Sequence, residues 1–297
     1  MPSFLPSELL TKDRHKILLG AVGPRPIALV STIDEYGTPN LSPYSFFNIF
    51  SSNTPTLIFS PARRVRDNTT KDTLHNSIRE KEVVINVVNY DLVQQVNLSS
   101  AEYASNVDEF IKSGLTKVPS EVVAPPRVLE SPVSLECTVN DVVALGEEGG
   151  AGNLVICEIK RIHCADDVMS EEGGLDQQAL DLVGRMGKNW WVRASGDALF
   201  TVASPQIGIG VDQIPMVIRN STILTGNDLG LLGGISVLPN DEEIEQKKND
   251  FDIRRLMLNY AEGIERREAL HEVAKKLLEN GQVQEAWKVL LIDKSAR

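Results

Sequence analysis

Through about residue 238 the chain reads as short apolar runs punctuated by turn residues. "PIALVSTI" (26–33) is an apolar, β-branched run followed by the turn-rich "DEYGTPN". "TLIFS" (56–60) and "EVVINVV" (82–88) are continuous apolar runs, as expected of strands buried on both faces. "SLECTV" and "NLVICEIKRI" alternate instead. Their period of two turns Leu135, Cys137, Val139, Val155, Cys157 and Ile159 inward, and Glu136, Thr138, Glu158 and Lys160 toward water. Many short strands at hairpin spacing, with few helices between them, predict a mainly β protein built on an antiparallel barrel rather than a parallel βαβ sheet.

Helical patterns in this part are limited to residues 91–104 and 175–183. The glycine-rich "GNDLGLLGG" (226–234) reads as a turn or loop, since its glycines do not space as GxGxxG. From Asp241 onward Glu, Lys, Arg, Leu and Ala dominate, and helical spacing appears at Ile253, Leu256, Met257 and Tyr260. A second helix over "RREALHEVAKKLLENG" is expected to stop at Gly281, and "QVQEAWKVLLI" forms a third. The predicted organisation is a barrel domain over residues 1–238 and a C-terminal α-helical extension over 239–297, packing on the barrel or on a partner chain.

Charge narrows the function. Of 297 residues, 41 are acidic and 30 basic, a formal net charge of −11, which argues against nucleic acid and against an anionic membrane surface. No apolar run reaches the ~20 residues of a membrane helix, and no signal-peptide pattern opens the chain. Cys137, Cys157 and Cys164 form no CxxC pair, and the expected setting is cytoplasmic, with reduced thiols. The four histidines have no zinc-site spacing, and no metal is expected.

Two stretches carry candidate chemistry. "SPYSFFNIFSSN" gathers Tyr44, Phe46, Phe47 and Phe50 within seven residues of a chain that is only 5% aromatic, interleaved with Ser45 and Asn48. Rings supply apolar wall while small polar groups meet the polar edge of a flat heterocycle; an aromatic barrel mouth or dimer surface would need the same rings. "SPARRVRDNTTKDTLHN", beginning at Ser60, places Arg63, Arg64, Arg66 and Lys71 among Thr69, Thr70 and Thr73. Forked guanidiniums and a point ammonium suit a phosphate monoester, and Asp72 or Thr73 could cap a helix whose N–H groups face the anion. Arg63 follows the strand most closely of the three arginines.

The order and spacing of "RPIALVST", "DEYGTPNLSPYSFFN", "KDTLHN", "EVVINVV" and the later "GRMGKNWW" resemble the flavin reductase-like proteins, which bind FMN on a split β-barrel. The resemblance covers residues 24–193 and implies an antiparallel split barrel, FMN as cofactor, and a homodimer with the flavin near the subunit interface. It implies that Ser31, Thr32, Ser45, Phe46, Phe47 and Asn48 lie along the flavin and that Lys71 and Thr73 meet its phosphate; Ser60, Arg63 and Asp72, from the same stretch, complete the candidate cofactor-binding set. Arg185 either reaches the flavin or closes the barrel through a salt bridge, while Trp190 and Trp191 pack. Lys188 to Trp191 stand where the family pattern leads one to expect a small residue and a tyrosine. The implied activity is reduction of flavin by NADH or NADPH, feeding a partner monooxygenase. The alternatives are a flavin enzyme acting on an organic substrate and a flavin-binding module without turnover.

Overall fold

The computed structural model describes residues 1–204 and 206–293. Among them one antiparallel sheet contains seven strands: β1 (Ala28–Ile33), β2 (Pro39–Tyr44), β3 (Phe47–Ser52), β4 (Pro55–Phe59), β5 (Glu82–Val87), and the long hairpin β8 (Val133–Ala144) and β9 (Asn153–Cys164). Between β5 and β8 lies a short ladder of β6 (Lys117–Val118) and β7 (Arg127–Val128). After β9 a second two-stranded ladder pairs β10 (Leu182–Arg185) with β11 (Trp191–Ala194).

The sheet order is β2-β1-β5-β8-β9-β4-β3, so β2 and β3 are opposite edges although consecutive in sequence. Only Ser45 and Phe46 join them. Three peptide steps reach at most roughly 11 Å, so the sheet must curl until its edges approach each other. No ladder joins β2 to β3, and the barrel is therefore split. Pro43 fits the edge because its phase matches Leu41, whose N–H points away from β1 and is taken by the Glu109 carboxylate at 3.0 Å. The donor proline lacks is one the ladder does not use.

The two faces of β1 feed two cores. Ala28 and Val30 join Leu57, Phe59, Ile85 and Cys157, whereas Ile27 and Leu29 join Leu41, Val96 and Phe110. The second core is covered by α3 (Val93–Ser99) and α4 (Glu109–Ser113). Helices α1 (Thr11–Ala21), α2 (Asp72–Glu80) and α5 (Gln177–Leu180) complete this part. Helix α1 has no fully buried residue, which explains why its weak apolar pattern did not announce it.

Glu136 corrects the alternation argument. Expected at the surface, it is fully buried. The loop before β7 folds over that face of β8, and the carboxylate accepts the backbone N–H groups of Glu121, Val122 and Val123 at 2.8, 2.6 and 3.2 Å and meets His163 Nε2 at 2.6 Å. Burial alone would raise its pKa; the N–H groups of Glu121 and Val122 and the His163 ring outweigh that and hold it below the ordinary value.

The chain divides into compact units Met1–Phe200 and Thr201–Arg297, a boundary well before the composition change at Asp241. The reason is Ile214, Ile218, Leu224 and Leu232, which join Leu270, Trp287 and Leu290 in a separate helical core. That unit contains α6 (Met216–Arg219), α7 (Gly226–Gly233), α8 (Asp241–Lys248), α9 (Phe251–Asn259), α10 (Ile264–Glu279) and α11 (Val283–Leu290). The glycine-rich stretch read as a loop is α7, started by a capping box in which Thr225 and Asp228 satisfy each other's backbone N–H. Gly281, at φ +72°, follows α10 as the spacing predicted. No described helix is long and apolar enough to cross a membrane.

Candidate functional site

The start of α2 lies against β2. Lys71 occupies the N-cap position with an extended backbone and caps with no side-chain hydrogen bond, so neither Asp72 nor Thr73 serves as the cap. Thr73 is buried and donates its hydroxyl to Asn40 Oδ1 at 2.7 Å, while Asp72 accepts from Ser105. Asn40 in turn donates to Glu109 Oε1 at 3.1 Å and accepts from Thr32, whose hydroxyl accepts from Asn76 at 3.0 Å. This net fixes the β2 edge to α2 and α4.

The Lys71 ammonium donates to Ser42 Oγ at 3.1 Å and sits 5.0 Å from the centre of the Tyr44 ring. Among the described residues it makes no ion pair. Burial lowers its pKa, the neighbouring Arg64 charge lowers it further, and the Glu102 and Glu109 carboxylates offset only part of this. Burial also pushes the Tyr44 phenol up to about 12 and raises the Glu109 carboxyl. Arg64 Nη1 donates to Thr69 Oγ1 and to the Thr70 carbonyl at 2.8 and 2.9 Å, and its Nε lies 3.4 Å from Glu102.

Two cavities flank this edge. A narrow, mostly polar one is lined by Asn40, Ser42, Arg64, Lys71, Thr73, Ser100 and Tyr103, together with the carboxylates of Asp72, Glu102 and Glu109. The other, of about 240 Å³, is lined by Ile27, Pro43, Tyr44, Ser45, Val96, Asn97, Ser100, Arg185, Asn189 and Trp191. Ser100 belongs to both, so the polar pocket and the partly apolar one adjoin. At the far wall the Arg185 guanidinium lies 4.8 Å from the Trp191 ring and donates to the Lys188 carbonyl, and Arg25 donates to the Leu19, Val22 and Met186 carbonyls. Burial, then the Arg185 charge, lowers the Arg25 pKa.

Of the residues singled out in the sequence, Lys71, Asp72, Thr73, Ser45 and Arg185 line these cavities, and Thr32 supports Asn40 from beneath. Ser31 is wholly buried in β1, with an Oγ that lacks a hydrogen bond. Phe46, Phe47 and Asn48 lie toward β3 and line neither cavity: Phe47 packs on the barrel core, Phe46 stands edge-on to His15 at 6.5 Å, and the Asn48 side chain accepts from the Ile49 N–H. Ser60 is buried, its N–H bonded to the Phe46 carbonyl. Arg63 is engaged with Asn68, to which it donates at 2.7 and 3.1 Å, so the arginine that faces the pocket is Arg64. Trp190 is 74% exposed rather than packed, while Trp191 packs against the second core. Sequence reasoning overlooked Asn40, Ser42, Asn97 and Ser100, small polar residues whose only signal was their place on an edge strand and a helix end.

No described cluster of His, Cys, Asp and Glu could hold a metal. Comparison with known proteins adds to this geometry. An uncharacterized protein of Halalkalibacterium halodurans, BH2278, is 39% identical over 186 residues, 62% of this chain and 88% of that one. The crystal structure of nitrilotriacetate monooxygenase component B from Bacillus cereus superposes with a TM-score of 0.63 at 30% identity, covering 68% of this chain and 98% of that one. The 2-nitrobenzoate 2-nitroreductase NbaA of Pseudomonas fluorescens gives a TM-score of 0.61 at 25% identity, covering 70% and 100%. Residues 21–180 match the flavin reductase like domain, and with that stretch forming most of its split barrel the chain belongs to the flavin reductase-like family.

Proposed function

We propose that this flavin-binding protein takes FMN along the β2 edge and uses it to accept hydride from NADH or NADPH. The observation that carries the reading is Lys71, a partly buried, desolvated ammonium with no ion pair among the described residues, at the start of α2. A desolvated cation without an ion pair is stabilised when an anion joins it, and a helix N-terminus favours the same charge. The donor set fits a phosphate monoester: Lys71 and Arg64 would neutralise it, and the Ser42, Thr73 and Ser100 hydroxyls would hydrogen-bond it. The adjoining cavity fits a flat heterocycle, with Pro43, Tyr44, Val96 and Trp191 as walls and Ser45, Asn97 and Asn189 as polar contacts.

When bound, the flavin supplies a two-electron acceptor for the nicotinamide hydride. The chain contributes position and electrostatics. The Thr73–Asn40–Glu109 net holds the β2 edge still, the Trp191 wall excludes water, and Arg185 offers a cation to the phosphates of the nicotinamide donor. The expected setting is the cytoplasm, where that donor resides. Similarity to a monooxygenase component B supports a partner monooxygenase as the consumer of reduced flavin. A homodimer is supported by edge strand β3, which leaves Ile49 and Phe50 59% and 64% exposed.

Arg185 also favours a second reading, in which electrons pass to an anionic organic substrate in the same cavity, in keeping with the similarity to a nitroreductase. Anaerobic stopped-flow mixing with NADH and NADPH tests the proposal. Rapid bleaching of the flavin band by either, with steady turnover of added FMN, supports the reductase. Bleaching by dithionite alone refutes nicotinamide-dependent reduction.

A further inference from the structure

The helical unit contains a cavity of about 220 Å³ to which the flavin chemistry assigns nothing. Its walls are largely apolar, with Pro215, Val217, Ile218, Leu238 and Leu291 among them, but the lining also carries Arg267, His271 and two carboxylates, Asp293 and Asp241. Arg267 Nε and Asp293 Oδ2 form an ion pair at 3.7 Å, beyond hydrogen-bonding reach, and both buried atoms lack a hydrogen-bond partner among the described residues. A buried donor and a buried acceptor left open together are unusual in a folded core.

His271 adds a second donor. The Ser221 Oγ accepts N–H groups from Ile223 and Leu224, each at 3.1 Å, and so uses both its lone pairs. Its remaining hydrogen goes to His271 Nδ1, 2.8 Å away. The imidazole proton is thereby placed on Nε2. Burial, then the Arg267 charge, lowers the ring's pKa and favours its neutral form, the Asp293 carboxylate opposing in part.

The cavity thus offers a guanidinium and an imidazole N–H beside the Asp293 carboxylate, with Asp241 also on its wall, in an otherwise apolar chamber. We infer that this unit binds a free α-amino acid with a branched apolar side chain, its carboxylate on Arg267 and His271 and its ammonium on Asp293. Both ligand charges sit on one carbon, as the close approach of Arg267 to Asp293 requires. A fatty acid would leave Asp293 Oδ2 without a donor, and an alkylamine would leave Arg267 Nε without an acceptor. This inference is independent of the flavin reading, because it uses no residue of the barrel.

The test is isothermal titration of the full chain with L-leucine, isovalerate and isopentylamine. Saturable binding of L-leucine is expected, with both half-ligands at least about tenfold weaker. Arg267→Gln and Asp293→Asn should each weaken L-leucine by about tenfold or more, and Val217→Trp, at a residue that lines the chamber, should abolish binding while leaving the helical circular dichroism intact. No binding of L-leucine, L-isoleucine or L-valine at millimolar concentration overturns the inference, as do half-ligands that bind as tightly as L-leucine. Flavin content, measured on the same samples, reports separately on the barrel.

Discussion

Replacing Lys71 with methionine keeps the apolar stem and removes the ammonium, and the geometry predicts opposite effects on the empty and the loaded protein. In the empty protein the ammonium has one hydroxyl partner, Ser42, and a ring face, with no ion pair among the described residues; the Glu102 and Glu109 carboxylates act on it only from a distance. Removing it relieves a desolvated charge, so the melting temperature of Lys71→Met should hold or rise. In the loaded protein the substitution deletes a charge-assisted hydrogen bond to phosphate, worth about 1.5–3 kcal/mol, or roughly 10- to 100-fold in FMN affinity. Fluorescence quenching with FMN and with riboflavin separates the contributions, because riboflavin lacks the phosphate and should lose almost nothing. pH adds a sign. Lys71 binds its proton less tightly when folded than when unfolded, so stability of the empty wild type should climb as pH rises toward the ordinary value of 10.5, and Lys71→Met should flatten that rise. FMN affinity of the wild type should move the other way, falling as the ammonium deprotonates. Equal losses of FMN and riboflavin affinity, or a clear drop in melting temperature without ligand, would refute the reasoning.

Three further outcomes follow from particular contacts. Arg185→Gln should raise the KM for the nicotinamide or organic substrate by about tenfold, with FMN affinity little changed, as steady-state kinetics would register. Glu136→Gln leaves the N–H groups of Glu121 and Val122 facing a weaker acceptor and should cost about 2 kcal/mol in urea unfolding at neutral pH. Because the folded Glu136 pKa is depressed, that contribution is present above the ordinary carboxyl value and lost as pH falls, so wild type and variant should converge in acid. Trp287→Ala empties the centre of the helical core and breaks the bond from its indole N–H to the Leu232 carbonyl; a loss of about 3–5 kcal/mol is expected in the helical unit.

Much of the barrel was legible because its strands obey simple periods. β5 reads as a continuous apolar run and is buried throughout its centre, and β9 alternates as predicted. Alternation failed at Glu136 because it describes one strand and its core, whereas the loop that covers the other face is remote in sequence. Helix α7 was missed because glycine propensity was weighed and the Thr225–Asp228 capping box was not, although its spacing stood in the sequence. The boundary was set by composition, yet Ile214, Ile218 and Leu232 belong to the helical core by packing. At the site the cationic stretch was visible, but choosing Arg64 over Arg63 required knowing that Asn68 engages the latter. Asn40 and Ser42 gain meaning only once α2 is seen to dock on β2.

The most direct test of the central claim is a crystal structure of the protein soaked with FMN. The account predicts a phosphate within hydrogen-bonding distance of Lys71 Nζ and the Thr73 hydroxyl, with the ring system in the cavity beside Trp191. A flavin bound with its phosphate remote from Lys71 would contradict it.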